Sequence, residues 1–207
     1  MNFNILTIFP DLFDTLDHGV IGKAKNNGSF SINLHDIRKH AVNKHGQIDG
    51  KPYGGGEGML MMPQPLKKSL EDIPKNKIGK VIYLSPQGKP LNNIKAKELS
   101  TEKSITFICG RYEGIDQRFI DKYVDEEISI GDFIISGGEL AALCSIDAIV
   151  RHIPGVLGNE DSSENDTFSN GLLKGPQYSR PEIFEEMKVP DVLLSGNHEK
   201  IKEWKQL

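Results

Sequence analysis

Two glycine-punctuated runs near the middle of the 207-residue chain carry the residue types best suited to holding a ligand. The first is Gly110-Arg111-Tyr112-Glu113-Gly114, followed by Ile115-Asp116-Gln117-Arg118. The second is Ser129-Ile130-Gly131-Asp132-Phe133-Ile134-Ile135-Ser136-Gly137-Gly138-Glu139-Leu140. Each glycine cluster stands where an apolar, strand-like run stops, so the backbone can turn sharply and lie close against a bound molecule. Neither run is the G-x-G-x-x-G of a dinucleotide site, and neither ends in the Gly-Lys-Ser/Thr of a phosphate-cradling loop. A third run, Lys51-Pro52-Tyr53-Gly54-Gly55-Gly56-Glu57-Gly58-Met59, is too glycine-rich for the interior of a helix or strand. By itself it reads equally as a flexible surface loop and as a loop fitted around a flat base or cofactor. The fourth, Tyr83-Leu84-Ser85-Pro86-Gln87-Gly88, is a strand end and a turn, the place where open α/β sheets bind ligands.

Positioning those loops requires strands and helices in alternation. Strand-like runs fall at residues 3–9, 30–35, 80–84, 105–109 and 127–130, and helical ones at 10–18, 64–70, 92–99, 116–123 and 139–152. That order predicts an α/β fold with a mostly parallel sheet. The last helix is the best supported, because Leu140, Leu143, Ile146, Ala148, Ile149 and Val150 give it a thick apolar face before Pro154-Gly155 stops it. Past Leu157 the chain turns small, polar and acidic. Residues 158–171 read as a mobile linker between a domain of residues 1–157 and a small helical unit of residues 172–207. Within that unit, 181–187 and 196–207 read as short helices, and the unit is too small to fold alone.

With 37% hydrophobic and 26% charged residues, the composition is that of an ordinary globular protein. No apolar stretch is long enough to span a bilayer, and the N-terminus lacks a basic region and a cleavage site, so a cytoplasmic protein without membrane contact is expected. Cys109 and Cys144 both lie in apolar runs and read as buried free thiols, and no cysteine or histidine spacing suits a metal. The net charge of −4 argues against sequence-blind nucleic-acid binding. Residues 21–51 depart from it, with six Lys/Arg (Lys23, Lys25, Arg38, Lys39, Lys44, Lys51) against Asp36 and Asp49. On composition this is a solvated basic face, although it could also follow a phosphate backbone.

The glycine loops together resemble those of the bacterial tRNA (guanine-N1)-methyltransferases, members of the knotted SPOUT methyltransferases. The resemblance runs from Met1 to about Trp204 and keeps three knot loops in the family's order. It implies a SPOUT-type sheet with a deep C-terminal trefoil knot, which periodicity could not reveal. It also implies methyl transfer from S-adenosyl-L-methionine to N1 of guanosine 37 of tRNA, and a homodimer whose active site is shared between subunits. The cofactor would lie across Tyr83, Leu84, Ser85 and Pro86, then Gly110, Arg111, Tyr112 and Glu113, then Ser129, Ile130, Gly131, Phe133, Ile135, Gly137 and Gly138. Backbone amides and carbonyls suit this task, since they read an adenine edge without a special side chain.

Asp166-Thr167-Phe168 resembles the family's Asp-Ser-Phe, which makes Asp166 the base that takes the N1 proton. Arg151 matches the arginine at the end of the long helix and would stabilise charge at O6. Without the resemblance, Asp166 reads as a turn or cap residue and Arg151 as a helix-end charge. Asp49, Tyr53, Gly55, Gly56, Tyr178 and Arg180 match substrate-binding positions. The chain departs from the family's pattern at Gly50, Glu57, Lys174 and Gln177. The family also commonly continues into a longer basic tail, so the tRNA-binding unit reads as shortened. It is reported to depend on Mg²⁺, for which the sequence offers no cage. Another SPOUT RNA methyltransferase and a non-catalytic RNA-binding relative are the alternatives.

Overall fold

The computed structural model describes residues 1–157 and 175–205, in two units divided at residue 160. The first unit is built on five strands: β1 (Asn2–Thr7), β2 (Ser31–Asp36), β5 (Lys80–Pro90), β6 (Ser104–Cys109) and β7 (Glu126–Ser129). They are all parallel, in the order β2-β1-β6-β5-β7. Two short strands, β3 (Asp49–Gly50) and β4 (Leu60–Met61), pair antiparallel and bracket the 51–59 loop.

A parallel sheet must be covered on both faces, and the sequence supplies the cover. The central strand β6 is buried at all six positions. On one face Phe3, Ile5, Ile82 and Phe107 pack beneath helices α1 (Gly19–Asn26), α3 (Asn93–Leu99) and α5 (Gly138–Val150). The Phe3 and Phe107 rings stack there at 6.1 Å. On the other face Leu6, Tyr83 and Ile108 pack against α2 (Pro63–Glu71) and α4 (Gln117–Tyr123) through Leu66, Leu70 and Phe119. Truncating a residue such as Phe107 to alanine would cost about 3–5 kcal/mol. Asn4, also buried, is satisfied by donating to the Lys77 carbonyl at 2.8 Å.

The alternation of strands and helices read from the sequence is present, with three differences. Residues 10–17 form a 3₁₀ rather than an α-helix, and α1 was not expected. Strand β5 does not stop at residue 84. It leaves the sheet after Leu84 and rejoins at Lys89, so that both residues oppose Ile128 of β7. At the crossing Gly88 lies against the β7 backbone, where a Cβ would come within 2.4 Å of the Ile128 nitrogen. The Ser-Pro-Gln-Gly turn is therefore an excursion from a strand, and its glycine is required by proximity.

The second unit corrects the helical reading of residues 181–187. Strands β8 (Ile183–Phe184) and β9 (Met187–Lys188) form an antiparallel hairpin, turned by Glu185 and Glu186 at φ 49° and 68°. Short helices follow at Asp191–Leu194 and His198–Lys205, with the Tyr178 and Trp204 rings 6.2 Å apart. Cys109 is buried, but Cys144 is exposed, against expectation, because it lies on the side of α5 that the sheet does not cover. No described helix is long and apolar enough to cross a membrane.

Candidate functional site

The carboxyl ends of β6 and β7 and the excursion within β5 open into one cavity of about 290 Å³. Its walls are the excursion after Tyr83 and Leu84, the loop from Gly110, and the loop from Ser129 to Gly138. All fifteen positions expected to hold a cofactor line it, including Ser85, Pro86, Tyr112, Glu113, Ile130, Gly131, Phe133, Ile135 and Gly137. Gln87, Gly114, Ser136 and Ala141 also line it and were missed. Their position next to the glycines was the available signal. The volume is near the lower end for small-molecule pockets.

Proximity sets the glycines of this cavity. A Cβ on Gly110 would meet the Tyr83 ring at 2.8 Å, and one on Gly138 would meet the Cys109 Cα at 2.7 Å. The Gly138 amide donates to the Gly110 carbonyl at 2.9 Å and fastens the two loops together. Ser129 closes the start of its own loop, its hydroxyl donating to the Gly131 carbonyl at 2.9 Å. Burial, reinforced by the nearby Glu127 charge, pushes the Tyr83 phenol up to about 12, so it stays protonated under the glycine loop.

Arg111 enters the wall differently from expectation. Its Nε donates to Glu139 Oε2 at 2.8 Å and its Nη1 to the Ser136 carbonyl at 3.1 Å, while the guanidinium sits 4.5 Å from the Phe9 ring centroid. Glu139 is wholly buried, and its other oxygen accepts from Thr7 Oγ1 at 2.8 Å. An acid directly after a glycine pair, matched by an arginine in the other glycine loop, was the sequence signal for this pair.

The 51–59 loop joins the site at one end only. The Glu113 amide donates to the Met59 carbonyl and the Met61 amide to the Gly114 carbonyl, both at 2.9 Å. Gly58 lies against the Glu113 side chain, where a Cβ would be 2.5 Å from Cγ. Residues 51–58 do not line the cavity, however. Gly55 has open space around it, Gly56 nearly so, and Tyr53 is 98% exposed. Asp49 pairs with Met61 at the base of this loop.

The remaining expected residues are Arg151, Tyr178, Arg180 and Asp166. Arg151 caps the far end of α5, thirteen residues from the cavity end, or roughly 20 Å of helix. Tyr178 and Arg180 belong to the second unit, where they line a separate cavity with Val189 and Leu193. Asp166, Lys174 and the 158–171 linker lie outside the described residues. Among the described residues no group of three or more His, Cys, Asp or Glu is arranged to hold a metal ion, so the Mg²⁺ expectation gains no ligand set there.

Residues 1–207 match the family described as tRNA (Guanine-1)-methyltransferase TrmD. The chain belongs to this family. It is 51% identical over 206 residues to the tRNA (guanine-N(1)-)-methyltransferase of Clostridium novyi, covering 100% of this chain and 85% of that protein. Proteins of the same name from Pseudoalteromonas translucida (52% over 204 residues; 97% and 80% covered) and Staphylococcus carnosus (48% over 206; 99% and 84%) are also similar. Membership in the tRNA (guanine-1)-methyltransferase family agrees with the mainly parallel five-stranded sheet and with a SPOUT-type methyltransferase fold.

Proposed function

We propose that the protein transfers a methyl group from S-adenosyl-L-methionine to N1 of guanosine 37 of tRNA, in the cytoplasm, as a homodimer. The observation that carries this reading is the convergence of three strand-end loops on one cavity, in a chain that matches the family from end to end. The trefoil knot belongs to the same reading.

The cavity fits the cofactor in the character of its walls. Backbone groups at Tyr83, Leu84, Gly110, Ile130 and Gly138 offer donors and acceptors to an adenine and ribose, and Glu113 offers a carboxylate to the methionine ammonium. When bound, the sulfonium supplies an electrophilic methyl group. The chain's own task is then alignment and proton removal. Guanine N1 keeps its proton at neutral pH, so a base is needed, and Asp166 takes that role. Arg151 meets the charge that shifts toward O6. Since Arg151 stands a full helix length from its own cavity, it serves the cavity of a second copy. Exposed Leu140 and Cys144, one turn apart on α5, offer a face for that copy. Tyr53, Gly55, Gly56 and Asp49 then face the guanosine, and Tyr178 and Arg180 grip the tRNA.

The test uses labelled S-adenosylmethionine and an unmodified tRNA with guanosines at positions 36 and 37. Label is expected as N1-methylguanosine, lost when guanosine 37 is changed to adenosine. Label that survives this change, or appears on a ribose, would overturn the assignment.

A further inference from the structure

Glu139 is the largest commitment of buried charge in the first unit, and the chemistry above gives it no task. It is wholly buried at the start of α5, and each oxygen is used once, by Thr7 Oγ1 and by Arg111 Nε, at 2.8 Å each. Thr7 is itself fixed, because its hydroxyl oxygen accepts from the Phe9 amide at 2.9 Å. Arg111 is held too, since it lies over the Phe9 ring and donates to the Ser136 carbonyl, and it fills the space that a Cβ on Gly137 would need. One carboxylate therefore ties the end of β1 to both glycine loops of the cavity.

A buried ion pair is weak support for stability, because desolvating two charges offsets most of their attraction. It does give a defined geometry, since a half-paired partner would be costly to bury. From this geometry we infer that Glu139 is a positioning residue: acting through Arg111, it sets the separation of the two glycine loops and so the affinity for the methyl donor. Arg111 thus serves the cofactor as a part of the wall that Glu139 holds in place. The inference rests on the proposed donor site and adds a residue to it.

Glu139→Gln keeps shape and volume while removing the charge. Its amide can still meet Arg111 through oxygen, but the Thr7 hydroxyl must then accept from both Phe9 and the new amide. Titration calorimetry of S-adenosylmethionine into Glu139→Gln, Arg111→Gln and the double variant reads the effect. Each single change is expected to weaken donor affinity roughly tenfold, the worth of a hydrogen bond to a charged group. The double variant is expected to be no weaker than the worse single one, because the pair acts as a unit. Turnover of Glu139→Gln, whose side chain lies outside the cavity lining, should stay within about threefold of wild type at saturating donor, since donor binding restores the loops. A merely structural role would lower the melting temperature without that split between donor affinity and turnover.

Folded variants that bind the donor as wild type does, or whose losses simply multiply, would overturn the inference. If Glu139→Gln does not fold, Thr7→Val decides, since it removes one hydrogen bond to Glu139 from outside the cavity lining, with unchanged affinity as the contrary result. Wild-type protein that fails to bind the donor would instead overturn the proposed function, and this inference with it.

Discussion

The chain has two kinds of glycine loop, built for opposite reasons. In the cavity walls, Gly110, Gly137 and Gly138 are glycine because neighbouring atoms leave no space for a Cβ. In the 51–59 loop, Gly54 and Gly55 have nothing within 4 Å and instead adopt φ near +80°. The first arrangement is closed and preformed, locked by the Gly138–Gly110 hydrogen bond and the Glu139–Arg111 pair. The second is open and displays Tyr53 to solvent. Identical residue type therefore marks a closed cavity wall in one place and an open, solvent-facing loop in the other, which the proposed function takes as the donor site and the approach for a large, flat partner. The two meet where Gly58 presses on Glu113.

The sharpest way to break this contrast is to add one methyl group to each loop. Gly138→Ala puts a carbon 2.7 Å from a backbone atom of Cys109, so the loop itself must move. Overpacking of this kind costs roughly 1–3 kcal/mol. If the loop absorbs it, donor affinity falls by about tenfold to a hundredfold in a calorimetric titration. Next in size is Tyr53→Ala. A stacked base is worth roughly 1–3 kcal/mol, so the KM for tRNA should rise about tenfold while donor affinity is unchanged. Gly55→Ala should be milder, with roughly 1–2 kcal/mol of backbone strain confined to the open loop and no effect on donor titration. Equal loss of donor affinity in the two alanine variants would erase the distinction.

The smallest effect concerns pH. Burial lowers the imidazole of His152, with Lys97 and Arg151 adding to the shift, and burial likewise lowers His35. Their folded values lie below the ordinary 6.5, so the unfolded chain takes up protons first as the solution is acidified. This stabilising contribution is complete above 6.5 and is lost as pH falls through the folded values. Melting temperature should therefore drop on acidification, and His152→Gln should flatten the drop. An unchanged slope would contradict the assignment.

The framework of the first unit was legible because β1, β5 and β6 carry apolar runs bounded by turn residues. The cavity loops were legible because glycines stand at the ends of those runs. What escaped is what local pattern does not encode. Residues 181–187 read as a short helix, yet Glu185 and Glu186 adopt left-handed backbone in a hairpin turn. Ser85-Pro86-Gln87-Gly88 read as an ending, because the return of β5 to the sheet depends on β7, some forty residues later. The apolar face of α5 suggested burial of Cys144 but could not say which side the sheet would cover. Glu139 opens the helix expected at 139–152, and only tertiary packing shows it wholly enclosed.

The most direct test of the contrast is hydrogen exchange of the amides, with S-adenosylmethionine added in the absence of RNA. Exchange should slow in residues 110–114 and 129–138 and stay unchanged in 53–57 until tRNA is added. Protection that appears first in 53–57, with none in 110–138, would show that the closed loops are not the donor site.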